Sequence, residues 1–233
     1  MRLPLLTVLP LFLTGCVVDL GPSGPTQHDV KVIELDKSEL VKVDLHMGVG
    51  ELKVEGGSKK LMEGDFTYNV PSWKPEVRYS NTGVRGYLTV EQPSGSGRLG
   101  NNQHYEWNLR LNDEIPTDMR VKFGVGEARL NLGSLSLRSL EVEIGVGEIK
   151  VDLRGDPKRD YDVHIRGGVG EATVHLPQNV GIYADASGGI GGINVRGLHK
   201  EGGHYVNDGY EKAKVKVHLD VRGGIGGINL IAE

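Results

Sequence analysis

Three kinds of side chain in this sequence could do chemistry: one thiol at Cys16, eight histidines, and four glutamates that recur in the same short phrase. A thiol can act as a nucleophile or accept an acyl group. Imidazoles can bind a metal or move protons. Carboxylates brought 5–10 Å apart can cleave a glycosidic bond. The histidines give little: His28, His46, His104, His164, His175, His199, His204 and His218 are scattered, with no tight metal-ligand spacing. His46, His164, His175 and His218 fall at outward strand phases and read as solvated rungs. No Gly-x-Ser-x-Gly elbow and no phosphate loop is present. The acidic pairs Asp160/Asp162 and Asp113/Glu114 read as surface turns. No catalytic residue, metal or cofactor is expected.

Cys16 stands in a more specific setting. Met1-Arg2 gives a positive start, and Leu3 to Leu13 is an apolar run of 11 residues. A bilayer span needs about 20 residues, so residues 1–15 read as a signal peptide. Their end, Leu13-Thr14-Gly15-Cys16, resembles the bacterial lipobox. That resemblance implies cleavage before Cys16 and acylation of its thiol, so membrane attachment would run through N-terminal acyl chains. Residue 17 is Val and not Asp, which points to the outer membrane (periplasmic side or surface) in a Gram-negative cell. In a Gram-positive cell the place is the outer face of the cytoplasmic membrane. Processing removes only Arg2 among charged residues, taking the net charge from −4 to −5. With no basic stripe, nucleic acid is excluded as a partner. A lipid-bearing Cys16 leaves no disulfide within the chain, so packing and sheet hydrogen bonds must hold the fold. Residues 16–28 read as a tether reaching roughly 40 Å when extended.

The elements that must position any site are written around the repeated phrase Gly-Val/Ile-Gly-Glu/Gly. It begins at Gly48, Gly124, Gly145, Gly168, Gly189 and Gly224, with second glycines at Gly50, Gly126, Gly147, Gly170, Gly191 and Gly226. The steps are 76, 21, 23, 21 and 35 residues. A step near 20 marks a solenoid of stacked coils. Alternating apolar residues flank each phrase: Val142 and Ile144 before one, Ile149, Val151 and Leu153 after it. The two inward sets differ in parity, so the phrase must be a corner where the strand bends and the alternation resets. Its glycines allow unusual backbone angles and close stacking. Val146 is expected to fill the corner from inside, as part of a column of valines and isoleucines. Glu51, Glu127, Glu148 and Glu171 share one phase, with Lys53, Arg129, Lys150 and Thr173 two residues on. In the last two phrases the acids become Gly192 and Gly227, and Asn194 and Asn229 take the second position. The column reads as a self-neutralised ladder, with divalent-cation binding as the alternative.

Two stretches interrupt the repeat. Residues 29–112 form an N-terminal β region with an aromatic-rich insertion, and 113–233 the stacked region. Seven of the 13 aromatics lie between Phe66 and Trp107. They either fill a cap core or present a partner surface at Trp73, Tyr79, Tyr87, Tyr105 and Trp107. Residues 198–213 make a second, longer excursion.

The mature chain resembles the bacterial toast-rack proteins. The resemblance rests on Val43-Asp44-Leu45 through Gly48-Val49-Gly50-Glu51-Leu52-Lys53-Val54, then Leu61 to Asn69, Pro75-Glu76-Val77 and Gly86-Tyr87-Leu88-Thr89-Val90. Ile115-Pro116-Thr117-Asp118 and the following repeats are similar to the C-terminal domain of LiaF-like proteins. This implies an all-β fold: a single-stranded right-handed β-helix-like solenoid with an antiparallel N-terminal region. It also implies a non-enzymatic scaffolding or regulatory role. The expected function is a lipid-anchored envelope protein acting as a binding, scaffold or stress-sensing module toward an envelope protein or glycan. The alternatives are a carbohydrate-active β-helix enzyme and a self-associating structural or adhesive protein. Self-association would use the solenoid end, expected at Ile228, Leu230 and Ile231.

Overall fold

The computed structural model describes residues 24–93 and 103–233. Cys16, the signal peptide and most of the expected tether lie outside the described residues. Among those described, the chain is nearly all β, with two single turns of 3-10 helix, and no helix is long and apolar enough to cross a membrane.

Three long strands show how the phrase works: β2 (Leu40–Ser58), β7 (Thr117–Asn131) and β8 (Leu137–Asp152). Each carries one phrase at its middle, and the phrases pair in register, Gly50 with Gly126 and Gly126 with Gly147. Val121 and Phe123 are buried before the corner of β7, and Ala128 and Leu130 after it. The odd interval confirms the change of parity. Both arms contribute to one hydrophobic core. The two glycines do different work. Only the second has positive φ, +135° at Gly147, a region that side chains avoid. The first permits approach: a Cβ on Gly124 would lie 2.1 Å from the Gly48 carbonyl oxygen.

The apolar residue between the glycines does not fill the corner from inside. Val125, Val146, Val169, Ile225 and Ile190 are 41–71% exposed. The bend puts this residue at the tip of the coil, beyond the interior enclosed by the two arms. Val49 alone is buried, beside Gln92, whose Oε1 accepts hydrogen bonds from Gly48 N (2.7 Å) and Val49 N (3.1 Å).

The coils also stack out of sequence order. After β9 (Tyr161–Leu176) the chain forms β10 (Gly181–Ile190) and β11 (Ile193–Arg196), but these do not pair with β9. The C-terminal coil, β14 (Lys216–Ile225) and β15 (Ile228–Ala232), slides between them. Val217 pairs with Tyr161 on one side and Ile182 on the other, and Ile228 pairs with Ala172 and Ile193. Ile228, Leu230 and Ile231 are therefore flanked on both sides and form no open end, and the strand of this layer with one partner is β11. The return is possible because residues 198–213 carry the chain back. Within them β12 (His199–Glu201) and β13 (His204–Val206) make a hairpin, and β13 pairs antiparallel with β10.

At the other end the insertion is a coil pulled apart. β5 (Arg85–Glu91) runs parallel to the first arm of β2 and β6 (Tyr105–Asn112) to the second. β4 (Glu76–Thr82) pairs antiparallel with β5. β1 (Gln27–Ile33), β3 (Met62–Tyr68) and β6 form an antiparallel group. Gln27 and His28, expected in the tether, belong to β1, and the sheet runs unbroken past residue 112 through the pairing of β2 with β7.

Candidate functional site: a cleft beneath the excursion

The out-of-order stacking builds a patch that no segment contains by itself. On the outward face of the first arms, β9 contributes Asp162, His164 and Arg166, β14 contributes His218, Asp220 and Arg222, and β10 contributes Tyr183, Asp185 and Ser187. In register they form three rows: Asp162–His218–Tyr183, His164–Asp220–Asp185 and Arg166–Arg222–Ser187. The excursion pairs beside β10 through β13 and brings Gly203 and Tyr210 to the rim of an open cleft of ≈ 720 Å³. That volume lies within the range of small-molecule sites.

The walls are held by specific contacts. The Tyr183 ring stacks on His204 with centroids 4.3 Å apart, and its hydroxyl lies 3.1 Å from His204 Nδ1. Tyr210 sits 5.9 Å from Tyr183, and the Lys216 ammonium lies 4.4 Å from the Tyr210 ring centroid. Arg222 donates from Nε to Asp220 Oδ1 at 3.1 Å and lies 2.9 Å from Oδ2, which keeps the guanidinium pKa raised. His164 Nδ1 is 3.9 Å from Asp220, and His218 Nδ1 is 3.3 Å from Asp162. Partial burial raises the Tyr183 hydroxyl, with Asp185 and Tyr210 adding to it. The Asp185 carboxylate and the Ser187 and Tyr210 hydroxyls make no side-chain hydrogen bond among the described residues, and the Asp185 charge adds to the raised Arg222 pKa. No group of three or more His, Cys, Asp or Glu among them has metal-holding geometry.

His164 and His218 are outward rungs, as their phase predicts, yet the register gathers them with Asp220, Tyr183 and Asp185. Sequence reasoning missed those three because they look like ordinary outward positions. The length of the 198–213 excursion was the available signal. Asp160 accepts from Lys216 N at 2.8 Å and Asp113 from Ser134 Oγ at 2.6 Å, so those acids serve as turn and strand ties.

Three of the four glutamates in the column are engaged. Glu127 pairs with Arg129 at 2.5 Å and Glu148 with Lys150 at 2.7 Å. Glu171 accepts from Asn229 Nδ2 at 2.6 Å, and Asn194 continues the row by donating to Asn229 Oδ1 at 3.0 Å. The first rung differs from expectation: Lys53 reaches Glu106 on β6 at 2.8 Å rather than Glu51, because β6 fills the place of a coil. That bond is the main cause of the raised Lys53 pKa.

Of the aromatics expected as a partner surface, Trp73, Tyr105 and Trp107 are buried and cannot present to a partner. They pack edge-to-face with one another and with Phe66 and Tyr68. Burial pushes the Tyr105 hydroxyl pKa up. Tyr87 is exposed. Tyr79 turns its hydroxyl to Asp36 at 2.8 Å, and Asp36 also accepts from Ser38 N (2.8 Å) and Asn81 Nδ2 (3.0 Å). Bonds led by Ser38, with Tyr79 and Asn81, lower the Asp36 pKa from 3.8 to about 2. A depressed carboxylate adds stability above its unfolded pKa and loses it as pH falls through the folded one. An NMR titration should therefore show Asp36 with a midpoint near 2. Because the group is exposed, Asp36→Asn should cost no more than about 1 kcal/mol at pH 7.

The chain matches the family described as the N-terminal domain of toast_rack, DUF2154, over residues 22–175. A solved structure from Clostridium sporogenes, provisionally named a cell adhesion protein, is 37% identical over 89% of this chain and 100% of its own, with a TM-score of 0.87. A protein from Bacteroides fragilis provisionally named an adhesin is 11% identical, covering 90% of this chain and 99% of its own, with a TM-score of 0.24. Another from Parabacteroides distasonis, provisionally named a lipid binding protein, is 12% identical over 89% of this chain and 97% of its own, with a TM-score of 0.26. No curated protein matches. The family match covers well over half of the chain and the Clostridium structure follows almost all of it, so the chain belongs to the toast-rack family.

Proposed function

We propose that this protein is a lipid-anchored component of the cell envelope that works by binding, in an adhesive or scaffolding role, and not by catalysis. The observation that carries the reading is the relative from Clostridium sporogenes, 37% identical along its entire length and named for cell adhesion. The stacked sheet supports it physically. A rigid solenoid offers long surfaces fixed by backbone pairing, which suits recognition. The sequence Leu13-Thr14-Gly15-Cys16 supplies the anchor.

The test compares the full chain with Cys16→Ser in a bacterium. The wild type should sediment with membranes and show the mass of a diacyl or triacyl cysteine at its N-terminus. Cys16→Ser should leave membranes for the soluble fraction. A wild-type protein without acyl mass would overturn the anchor. The binding half is tested by adherence of the purified lipoprotein to isolated envelope fragments, and no adherence above a denatured control would overturn it.

A second reading draws on one feature of the cleft. Asp185 and Asp220 are register partners on adjacent strands, as a glycosidase pair could be. Asp220 is tied to Arg222 and Asp185 is exposed, so neither sits in the apolar pocket that keeps a general acid protonated. Release of reducing sugar by the wild type, lost in Asp220→Asn, would overturn the non-enzymatic reading.

A further inference from the structure

We propose that the cleft between the outer face of β9, β14 and β10 and the excursion 198–213 binds a neutral saccharide. The inference deepens the binding role proposed above and rests on it.

Arg222, the cation that lines the cleft, is spent. Arg222 is committed to Asp220 through two close contacts of 3.1 and 2.9 Å. An anionic ligand would have to displace that carboxylate, and it would meet Asp185 beside it. A metal ion finds no ligand set in metal-holding geometry among the described residues. What is left is hydroxyl chemistry: the carboxylate of Asp185 and the hydroxyls of Ser187 and Tyr210 make no side-chain hydrogen bond among the described residues. All three line the same space. A carboxylate accepts from two neighbouring hydroxyls at once, and Ser and Tyr hydroxyls both donate and accept. Adjacent sugar hydroxyls supply that pattern.

The remaining surface is aromatic and held in place. Tyr183 is fixed by its stack on His204, and Tyr210 by the Lys216 ammonium over its ring. A tyrosine ring offers an apolar face with a polar tip, which suits the C–H face of a pyranose bordered by hydroxyls. Because both rings already have their partners in the unliganded protein, little ordering cost falls on binding. The out-of-order stacking then has a consequence for recognition: it seats β14 beside β10 and so builds the cleft from residues far apart in sequence.

The test uses ligand-observed saturation-transfer NMR on the purified lipoprotein in detergent micelles. The probes are cellotriose, maltotriose and chitotriose, with trigalacturonate as the charged comparison. At least one neutral trisaccharide should receive saturation and show a measurable Kd, with trigalacturonate at least tenfold weaker. Asp185→Asn and Tyr210→Ala should each weaken the neutral ligand about tenfold or more. Asp185 is exposed and makes no side-chain hydrogen bond among the described residues, so Asp185→Asn keeps the test valid even if Tyr210→Ala disturbs the excursion. No binding of any neutral trisaccharide at millimolar concentration overturns the proposal, as does unchanged binding by Asp185→Asn. Adherence to envelope fragments, run on the same variants, separates the two levels. Wild-type adherence retained in Asp185→Asn leaves the binding role standing and removes the saccharide cleft. Trisaccharide binding without envelope adherence does the reverse.

Discussion

Gly147→Ala should destabilise the protein by about 3–5 kcal/mol, lowering its melting temperature by about 10 °C or more. Two independent costs meet at this position. Gly147 holds φ at +135°, where an L side chain is strained. An added Cβ would also fall 1.8 Å from the Gly126 carbonyl oxygen of the coil beside it. The obstacle is backbone, itself locked by pairing on both sides, so it cannot yield as a flexible side chain would. The strain contributes about 1–3 kcal/mol and the overlap about as much again. Gly192 is the control: its φ is not positive, and an added Cβ meets nothing within 4 Å. Gly192→Ala should be neutral or slightly stabilising. Gly145→Ala should fall between, since the Gly124 oxygen lies 2.5 Å away but φ is ordinary. Urea denaturation of the three variants gives the order. A Gly147→Ala protein that unfolds together with Gly192→Ala would refute the account of the corner.

That gradient shows how far the sequence could be read. The corner was legible because parity is local: Val142 and Ile144 cannot share an interior with Ile149 and Val151 unless something resets the alternation. The side on which Val146 would lie was not legible, because it depends on how the bend places its tip relative to both arms. Stacking order was hidden for a similar reason. Val217 and Ile182 look like consecutive coils in sequence, and every coil is interchangeable in pattern. Only the span of 198–213 marks the place where the chain could leave one neighbour and return to another. The cleft inherits that difficulty. His164, Asp220 and Asp185 are ordinary outward residues until the register sets them in one row. Lys53 illustrates the same limit on a smaller scale. Its two-residue spacing from Glu51 suggested one partner, and the insertion strand β6 supplied another. Residue patterns fix what a strand can do, and the neighbours across the sheet decide which of those things happens.

Trp107→Ala should cost about 3–5 kcal/mol while leaving the cleft intact. Trp107 is fully buried, with Leu52 on one side in register and Phe66 on the other. Its ring meets Phe66 edge-on at 5.7 Å and Tyr105 at 5.8 Å. Truncation would open a cavity among side chains that sheet pairing holds apart, so little of it can collapse. Trp107→Phe should be far milder, below about 1.5 kcal/mol, because it keeps an aromatic ring at the site. It also removes an indole Nε1 that is buried without a hydrogen-bond partner among the described residues. The pair of variants tests the core role against the partner-surface expectation. A partner-surface tryptophan would lose binding on truncation and leave stability untouched. A core tryptophan does the opposite. The cleft lies on β9, β14 and β10, separated from β6 by β2, β7 and β8 along the sheet. Trisaccharide binding by Trp107→Ala, measured well below its melting temperature, should therefore match the wild type. Unchanged stability with lost binding would return Trp107 to the surface and move the recognition site to the opposite end of the stack.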